Sequence, residues 1–586
     1  MKQTALTSID SYKLAHLVMW PEETNMAYAN FTPRSNHHFN VPKEYKKDGL
    51  AVWFGLQAFL HEMVEIWDTT FFSLPKNKVI SEFAELVAPF CGDQGLDTSK
   101  LEELHDYGRL PLLIRALPEG TLVPMGVPVL TIERTDARFY WLAAFMETWL
   151  SMELWKASTS ATTARVYRKI MEKYTTITGG NKDFVAVSCH DFSPRGMSGY
   201  ADAAKSGAGH LLSFIGTDNL PAVKFVKDYY RGKETFVGCS VPASEHGVMS
   251  AGTKDSELDT YRRMLKLYPT GIVSLVSDTY DFFNVITNFA VTLKDEIMAR
   301  QPDSLGLCKV VFRPDSGDPA DILCGEDIPV LRIPMESWGD TEVIGEWAAD
   351  AIVSRVFTET PHGEDGESNP VSIFKVGEKY FEVGIKIEWN RYDKQYYYIA
   401  DHSVTFVKEV TLTSQQKGAV QCLWDIFGGT TNERGYKTLD PHVGLIYGDS
   451  ITPERCEDIL CRLFKKGFAS DNVVYGIGSF SFTFVSRDTL GFAMKTTYIS
   501  GKDGGVEIFK DPVTDNGTKK SAKGLLMVTK ENGKYVLTDQ VTYQETNTGY
   551  LQPVFSDGKI LVDCSFEEIR NRLVNANKEA EIYSNK

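Results

Sequence analysis

Residues 443–481 read VGLIYGDSITPERCEDILCRLFKKGFASDNVVYGIGSFS. Two short apolar runs, Val443 to Tyr447 and Asn472 to Tyr475, flank one helix. Thr452 supplies its N-cap, Pro453 occupies the first helical position, and Gly467 stops it. Cys456, Ile459, Leu460, Leu463 and Phe464 recur at i, i+3, i+4, i+7 and i+8, which makes one apolar face. Runs that stay apolar without alternating read as buried parallel strands, and strand, helix, strand is the repeating unit of an α/β sheet or barrel.

Working outward, the same pattern recurs. Phe184 to Ser188 ends in HDF, Gly271 to Val276 ends in Ser277 and Asp278, and Lys309 to Phe312 ends in RPDSG. Polar residues therefore collect at the C-terminal ends of strands, where α/β folds place their chemistry because the connecting loops converge there. Two regions depart from it. Residues 330–440 hold a polar loop, ETPHGEDGESNP, then an alternation in twos (Val383, Ile385, Ile387, Trp389) and the run QYYYIADHSVTFV, which predicts antiparallel hairpins with a turn near Tyr392 and Asp393. The last 80 or so residues alternate short strands with Gly and Asn turns and finish in a charged helix after Ser565.

Composition narrows the function classes. The chain has 586 residues, 43% hydrophobic and 24% charged, which excludes a disordered or low-complexity protein. A formal net charge of −16 leaves no global basic field for nucleic acid or a membrane surface, so a phosphate site must be local. Nine cysteines include no CxxC pair, and the N-terminus MKQTALTSIDSYK lacks the apolar core of a signal peptide, so a soluble protein of a reducing cytoplasm is expected.

The strand ends supply His190, Asp191, Arg195, Asp278, Arg313, Asp315, Asp449, Gly476 and Gly478. Arginine forks suit phosphate oxygens, and carboxylates suit Mg²⁺ or sugar hydroxyls. One Arg–Asp pair such as RPD is equally well a structural ion pair; several at equivalent strand ends suit a polyanionic substrate. GIGSFS at 476–481 resembles a phosphate-cradling loop but lacks the third glycine of the dinucleotide fingerprint, and Thr253 interrupts the Gly-Lys pair that GVMSAGTK at 247–254 would need as a P-loop. FKDPV and KKSAKG gather Lys510, Lys519, Lys520 and Lys523, a solvated turn or a phosphate clamp. His246, beside Glu245, becomes a candidate nucleophile toward a phosphoryl group if Asp278 orients its imidazole.

Ten stretches carry a resemblance: DSYKLAH (10–16), LPEGTLVPMGVPVL (117–130), HDFSPRG (190–196), GTDNL (216–220), SVPASEHG (240–247), VSDTYD (276–281), RPDSGDP (313–319), GDS (448–450), SRD (486–488) and FKDPV (509–513). In that order they resemble the nicotinamide phosphoribosyltransferases, which are type II phosphoribosyltransferases. The resemblance implies an irregular β/α barrel, a mixed α+β domain from both chain ends and a β-rich insert. The corresponding boundaries are 1–150 and 501–586 for the mixed domain, 151–329 and 441–500 for the barrel, and 330–440 for the insert. It also implies a homodimer with shared active sites, transferring phosphoribosyl from phosphoribosyl pyrophosphate to nicotinamide with Mg²⁺ present and ATP as a coupling substrate that phosphorylates His246.

Residue by residue, the resemblance places Phe192 and the other subunit's Tyr12 on the two faces of the nicotinamide ring, and Asp218 on its carboxamide. Arg195, His246 and Arg313 hold the diphosphate, with Arg313 also near the ring. Asp315, Gly448 and Asp449 hold the ribose, Asp315 meets the metal through water, and Gly478, Ser479 and Arg487 take the 5′-phosphate. Arg34, Lys495, Lys510, Lys519 and Lys520 add phosphate contacts, while Asp278 and Glu245 assist His246. Three departures stand out: Ser479 and Phe480 replace expected glycines, Ser193 and Pro194 stiffen the turn before Arg195, and Asp315 and Asp449 lie 134 positions apart because of the insert. The alternatives are a nicotinate phosphoribosyltransferase, a glycoside or phosphate-ester hydrolase using acidic strand ends as an acid/base pair, and an inactive relative whose insert binds a partner.

Overall fold

The strand Met26–Thr32, MAYANFT, is buried along its whole length because both of its edges are occupied. Ala493–Gly501 pairs antiparallel on one side and Leu130–Arg134 on the other. The sheet has seven strands, three from the first 134 residues and four from residues 493–560, so the two chain ends build one layer, as expected for the mixed α+β part. These features come from a computed structural model that describes residues 3–91, 97–231, 236–359, 366–389, 402–510 and 522–584.

The chain divides into two units, residues 1–242, 446–457 and 469–586, and residues 243–445 and 458–468. In the first, the 32-residue helix Glu147–Thr178 is the spine. Its small polar residues face inward and satisfy backbone groups: Ser158 Oγ accepts from the Phe54 N–H at 3.1 Å, and Thr162 Oγ1 from the Val52 N–H at 2.9 Å. Three short parallel strands lie in this unit. Cys189–Asp191 pairs with Val473–Ile477 (His190 opposite Gly476) and with Gly216–Thr217 (His190 opposite Gly216). The apolar run Phe184 to Ser188 is not itself a strand: Asp183–Ala186 is a 3₁₀ turn, and the polar residues that follow make the strand.

In the second unit, Val310–Arg313 is flanked by two parallel partners, Val273–Val276 and Val443–Tyr447. The insert follows in the chain. Its strands Val371–Val376, Lys379–Ile385 and Val404–Val410 form an antiparallel sheet against the helix Thr341–Glu359, which the alternating pattern gave no sign of. Ile344, Ala348 and Ile352 are buried against Phe374, Val383 and Ile385, and Gly345 lets Val404 and Val407 approach the helix. The turn expected near Tyr392 and Asp393 lies outside the described residues.

The helix Pro453–Lys465 follows the sequence closely. Thr452 Oγ1 accepts from the Arg455 N–H at 3.3 Å, and Cys456, Ile459, Leu460 and Leu463 are buried. Phe464 lies at the rim of that face, stacked on Tyr436. The nine cysteines form no disulfide. Among the described residues, no helix is long and apolar enough to cross a membrane.

Candidate active site

Parallel register decides what meets at the strand ends of the first unit. The Phe192 N–H donates to Ile477 O at 2.9 Å and the Asp218 N–H to Asp191 O at 3.0 Å, so the residues just past three strands are tied to one another by backbone bonds. The buried Asp191 carboxylate supports both loops, accepting from the Ser193 N–H (2.9 Å) and from Asn219 Nδ2 (2.9 Å). His190 and Phe192 rings lie 4.9 Å apart, tilted by 45°. His190 Nε2 is 2.9 Å from Asp218 Oδ1, and Ser240 Oγ donates to the same oxygen.

Glycines make this arrangement possible. A Cβ on Gly476 would stand 2.4 Å from Phe192 Cδ2 and 2.6 Å from Gly448 Cα, so Gly476 makes room for the Phe192 ring and the GDS turn. A Cβ on Gly196 would stand 2.6 Å from Ser479 Oγ, which seats the Arg195 turn directly against the loop at Gly478 and Ser479. Thr483 Oγ1 bonds Gly196 O at 3.1 Å, and Tyr167 OH, from the long helix, holds Ser481 at 2.6 Å. In the GDS turn, Ser450 adopts φ +47°, a left-handed conformation that costs a non-glycine residue, with Arg455 Nη1 donating to its carbonyl at 2.8 Å. Asp449 is exposed there.

A positive patch lies in the same unit. Burial lowers the proton affinity of Lys495, Glu147 opposes that shift, and the charges of Arg34, Lys510 and Arg487 lower it further, so three other cations act on Lys495. Arg34 Nε is fixed on Gly491 O at 2.8 Å. Tyr12 is exposed, against His16 and Lys13. Lys519 and Lys520 lie outside the described residues.

The second unit builds a separate group around Asp278, whose side chain is 5% exposed. Its Oδ1 is 3.2 Å from His246 Nε2, while its Oδ2 accepts from the Asp315 N–H (2.9 Å) and Ser316 Oγ (2.6 Å). One carboxylate thus ties SVPASEHG to RPDSG. A carboxylate only accepts, so His246 Nε2 carries a proton, and in the neutral imidazole the lone pair is then on Nδ1. Arg313 Nη2 donates to Ser244 O at 2.8 Å, and the Ser277 N–H to Arg313 O at 2.9 Å, which joins two strand ends and the segment at Ser244. His246 begins the helix His246–Ser250, with Glu245 at its N-cap, and Asp315 is exposed.

Known proteins share this chain's pattern. The Nicotinate phosphoribosyltransferase (NAPRTase) family profile matches residues 187–351 and 382–559. The chain belongs to the nicotinate phosphoribosyltransferase family. A protein of Acinetobacter baylyi named nicotinamide phosphoribosyltransferase is 43% identical over 97% of this chain and 96% of its own length. Proteins of the same name from Xanthomonas campestris pv. campestris and Mycoplasma pneumoniae are 27% and 28% identical, over 96% and 89% of this chain and 97% and 94% of theirs. Among solved structures, nicotinate-nucleotide pyrophosphorylase from Pyrococcus furiosus is similar at 14% identity, TM-score 0.47, over 99% of both chains. Human nicotinic acid phosphoribosyltransferase is similar at 14% identity, TM-score 0.43, over 97% of this chain and 93% of its own.

For a nicotinate phosphoribosyltransferase family member, the gap at 352–381 falls within the insert, and Tyr12 and Arg34 lie outside both matched spans. Sequence reasoning gave no role to Ser240, Ser244 or Ser316, and named His190 only as a strand end. The signal was present: Ser240 and Ser244 bracket SVPAS, and Ser316 follows Asp315.

Proposed function

We propose that the chain is a nicotinamide phosphoribosyltransferase, transferring 5-phosphoribosyl from phosphoribosyl pyrophosphate to the ring nitrogen of nicotinamide and releasing nicotinamide mononucleotide and pyrophosphate in NAD salvage. Relatives named for this activity along nearly the whole chain support the reading. The observation that carries the choice of substrate is Asp218, an acceptor-only group beside Phe192, held by His190 and Ser240. It receives a carboxamide NH₂ and repels the carboxylate of nicotinic acid.

In this reading the Phe192 ring covers one face of the pyridine and the partner subunit's Tyr12 the other, an offset stack suited to an electron-poor ring. Arg195, Arg313 and His246 bind the diphosphate, Gly478, Ser479 and Arg487 the 5′-phosphate, and Gly448, Asp449 and Asp315 the ribose. Positive charge develops at the anomeric carbon as pyrophosphate leaves, so the arginines stabilise the departing anion while the carboxylates favour the cation. Among the described residues no group of three or more His, Cys, Asp or Glu side chains could hold a metal. Asp315 is exposed, so its carboxylate would reach through water a Mg²⁺ carried on the substrate phosphates, which would supply further charge neutralisation.

ATP enters as a coupling substrate: the Nδ1 lone pair of His246 forms the N–P bond as the bond from the γ-phosphorus to ADP's oxygen breaks. We place the enzyme in the cytoplasm, as a homodimer, with no nucleic-acid or membrane partner. The test is product formation from nicotinamide and phosphoribosyl pyrophosphate, with and without ATP, against nicotinic acid under the same conditions. Asp218→Asn should raise relative use of the acid; a wild-type preference for the acid, or an unchanged ratio in the variant, refutes the substrate assignment. Hydrolysis without nicotinamide would favour the hydrolase reading instead.

A further inference from the structure

The orientation of Asp218 is set by other side chains, and their placement follows from the strand register. Gly216 stands opposite His190 on the parallel strand, and Asp218 follows two residues later. A Cβ on Gly216 would lie 2.9 Å from His190 Nδ1 and 3.4 Å from its Cγ, so only glycine leaves the imidazole room over this strand. From there the ring reaches forward, and its Nε2 meets Asp218 Oδ1 at 2.9 Å. The carboxylate only accepts, so Nε2 is the protonated nitrogen. The His190 side chain is 11% exposed, against 41% for Asp218: the donor is packed and the acceptor faces out.

Ser240 arrives by a second route. The Cys239 N–H donates to Ile215 O at 2.8 Å and the Thr217 N–H to Cys239 O at 2.9 Å, which lays the 239–240 segment beside 215–217 and brings Ser240 Oγ to the same Oδ1. The Asp218 backbone is already fixed on Asp191 O. What remains to be set is the direction of its carboxylate, and two donors on one oxygen set it.

We propose that His190 and Ser240 are positioning residues for amide recognition: they hold Asp218 Oδ1 so that the carboxylate is aligned for a carboxamide donor, and selectivity for nicotinamide over nicotinic acid depends on them as well as on Asp218. The proposal rests on the nicotinamide reading above. Without His190 the amide loses an aligned acceptor, whereas nicotinic acid donates nothing to Asp218 and loses nothing comparable. The cost therefore falls on nicotinamide binding.

Steady-state kinetics with both substrates test this in wild type, His190→Ala, His190→Gln and Ser240→Ala. We expect His190→Ala to lower the nicotinamide-over-nicotinate ratio of kcat/KM about tenfold, equivalent to about 1.4 kcal/mol. The change should come through nicotinamide KM with the phosphoribosyl pyrophosphate KM unchanged. Glutamine presents an N–H near the position of Nε2, so His190→Gln should restore most of the ratio. Ser240 is exposed, and Ser240→Ala, which tests the idea even if His190→Ala does not fold, should lower the ratio in the same direction. An amide-selective wild type whose ratio is unmoved by His190→Ala or, where that variant does not fold, by Ser240→Ala overturns the proposal and leaves the function standing; so does a His190→Gln that behaves as His190→Ala. A wild type that prefers nicotinic acid overturns both.

Discussion

Replacing Asp278 by asparagine separates a charge from a shape. Asp278 serves three donors with two oxygens: His246 Nε2 at 3.2 Å on Oδ1, and the Asp315 N–H at 2.9 Å with Ser316 Oγ at 2.6 Å on Oδ2. Asparagine has one oxygen and one NH₂. If the oxygen stays with Asp315 and Ser316, the NH₂ faces His246, whose Nε2 must then accept, and the proton moves to Nδ1, the nitrogen that attacks phosphorus. If the oxygen turns to His246, two donors of the RPDSG loop face an NH₂, and the backbone at Asp315 must shift. Either way at least one hydrogen bond to an ionised group is lost, worth about 1.5–3 kcal/mol. On the transition-state scale that slows phosphorylation of His246 roughly ten- to 150-fold. The assay is the rate at which ATP and Mg²⁺ form an acid-labile phosphoprotein, with His246→Ala as the unlabelled control. An Asp278→Asn variant that labels at the wild-type rate refutes the tautomer argument, and label in His246→Ala refutes the choice of histidine.

Gly476→Ala would push a methyl into the Phe192 ring and the Gly448 backbone, at 2.4 and 2.6 Å. The expected outcome is a stability loss of about 1–3 kcal/mol in denaturant titration and a raised nicotinamide KM. Gly196→Ala instead meets Ser479, so it should raise the phosphoribosyl pyrophosphate KM while the nicotinamide-over-nicotinate ratio holds; initial-rate measurements with each substrate varied will show which moves. Lys495→Met removes a cation that burial and its neighbours already disfavour, so the melting temperature at neutral pH should rise while the phosphoribosyl pyrophosphate KM increases about tenfold, the ~1.5 kcal/mol of one charge-assisted bond. The sign with pH follows: folded Lys495 releases its proton more readily than unfolded Lys495, so wild-type stability gains as pH rises through the folded pKa toward the unfolded one. Melting curves at alkaline pH should show that gain in wild type and its absence in the variant.

How much of this was legible depended on the range over which each signal acts. The Thr452 cap, Pro453 and the four buried positions through Leu463 are local, and they read correctly because a helix carries its pattern within a few residues. The strand after Ser188 was misplaced by a few residues: the strongest apolar run there forms a turn, and the strand consists of the polar triplet Cys189–Asp191, buried by its neighbours and not by its own composition. The helix Thr341–Glu359 was missed because its apolar positions do not gather into one stripe; it is recognised by the sheet that covers Ile344, Ala348 and Ile352. Gly476 was legible as a glycine near phosphate, yet its backbone makes way for Phe192, a contact across strands that no spacing along the chain encodes. The same holds for Gly216 and His190, 26 positions apart in sequence and side by side in register.

Charge is where sequence and structure bear on each other most directly. A chain of net charge −16 repels a polyanion at long range, so recognition must come from cations close enough to act within a Debye length, roughly 8–10 Å in ordinary salt. Burial is the largest cause of the lowered proton affinity of Lys495, and the charges of Arg34, Lys510 and Arg487 lower it further, so some like-charge repulsion is held in the folded chain. Glu147 opposes that shift, and Glu147 also pairs with Lys13. A phosphate among these four groups would relieve that repulsion. The free energy that the protein spends on gathering like charges is therefore recovered on binding an anion, which explains why this cluster can coexist with an acidic surface and why Lys495→Met should trade substrate affinity for stability.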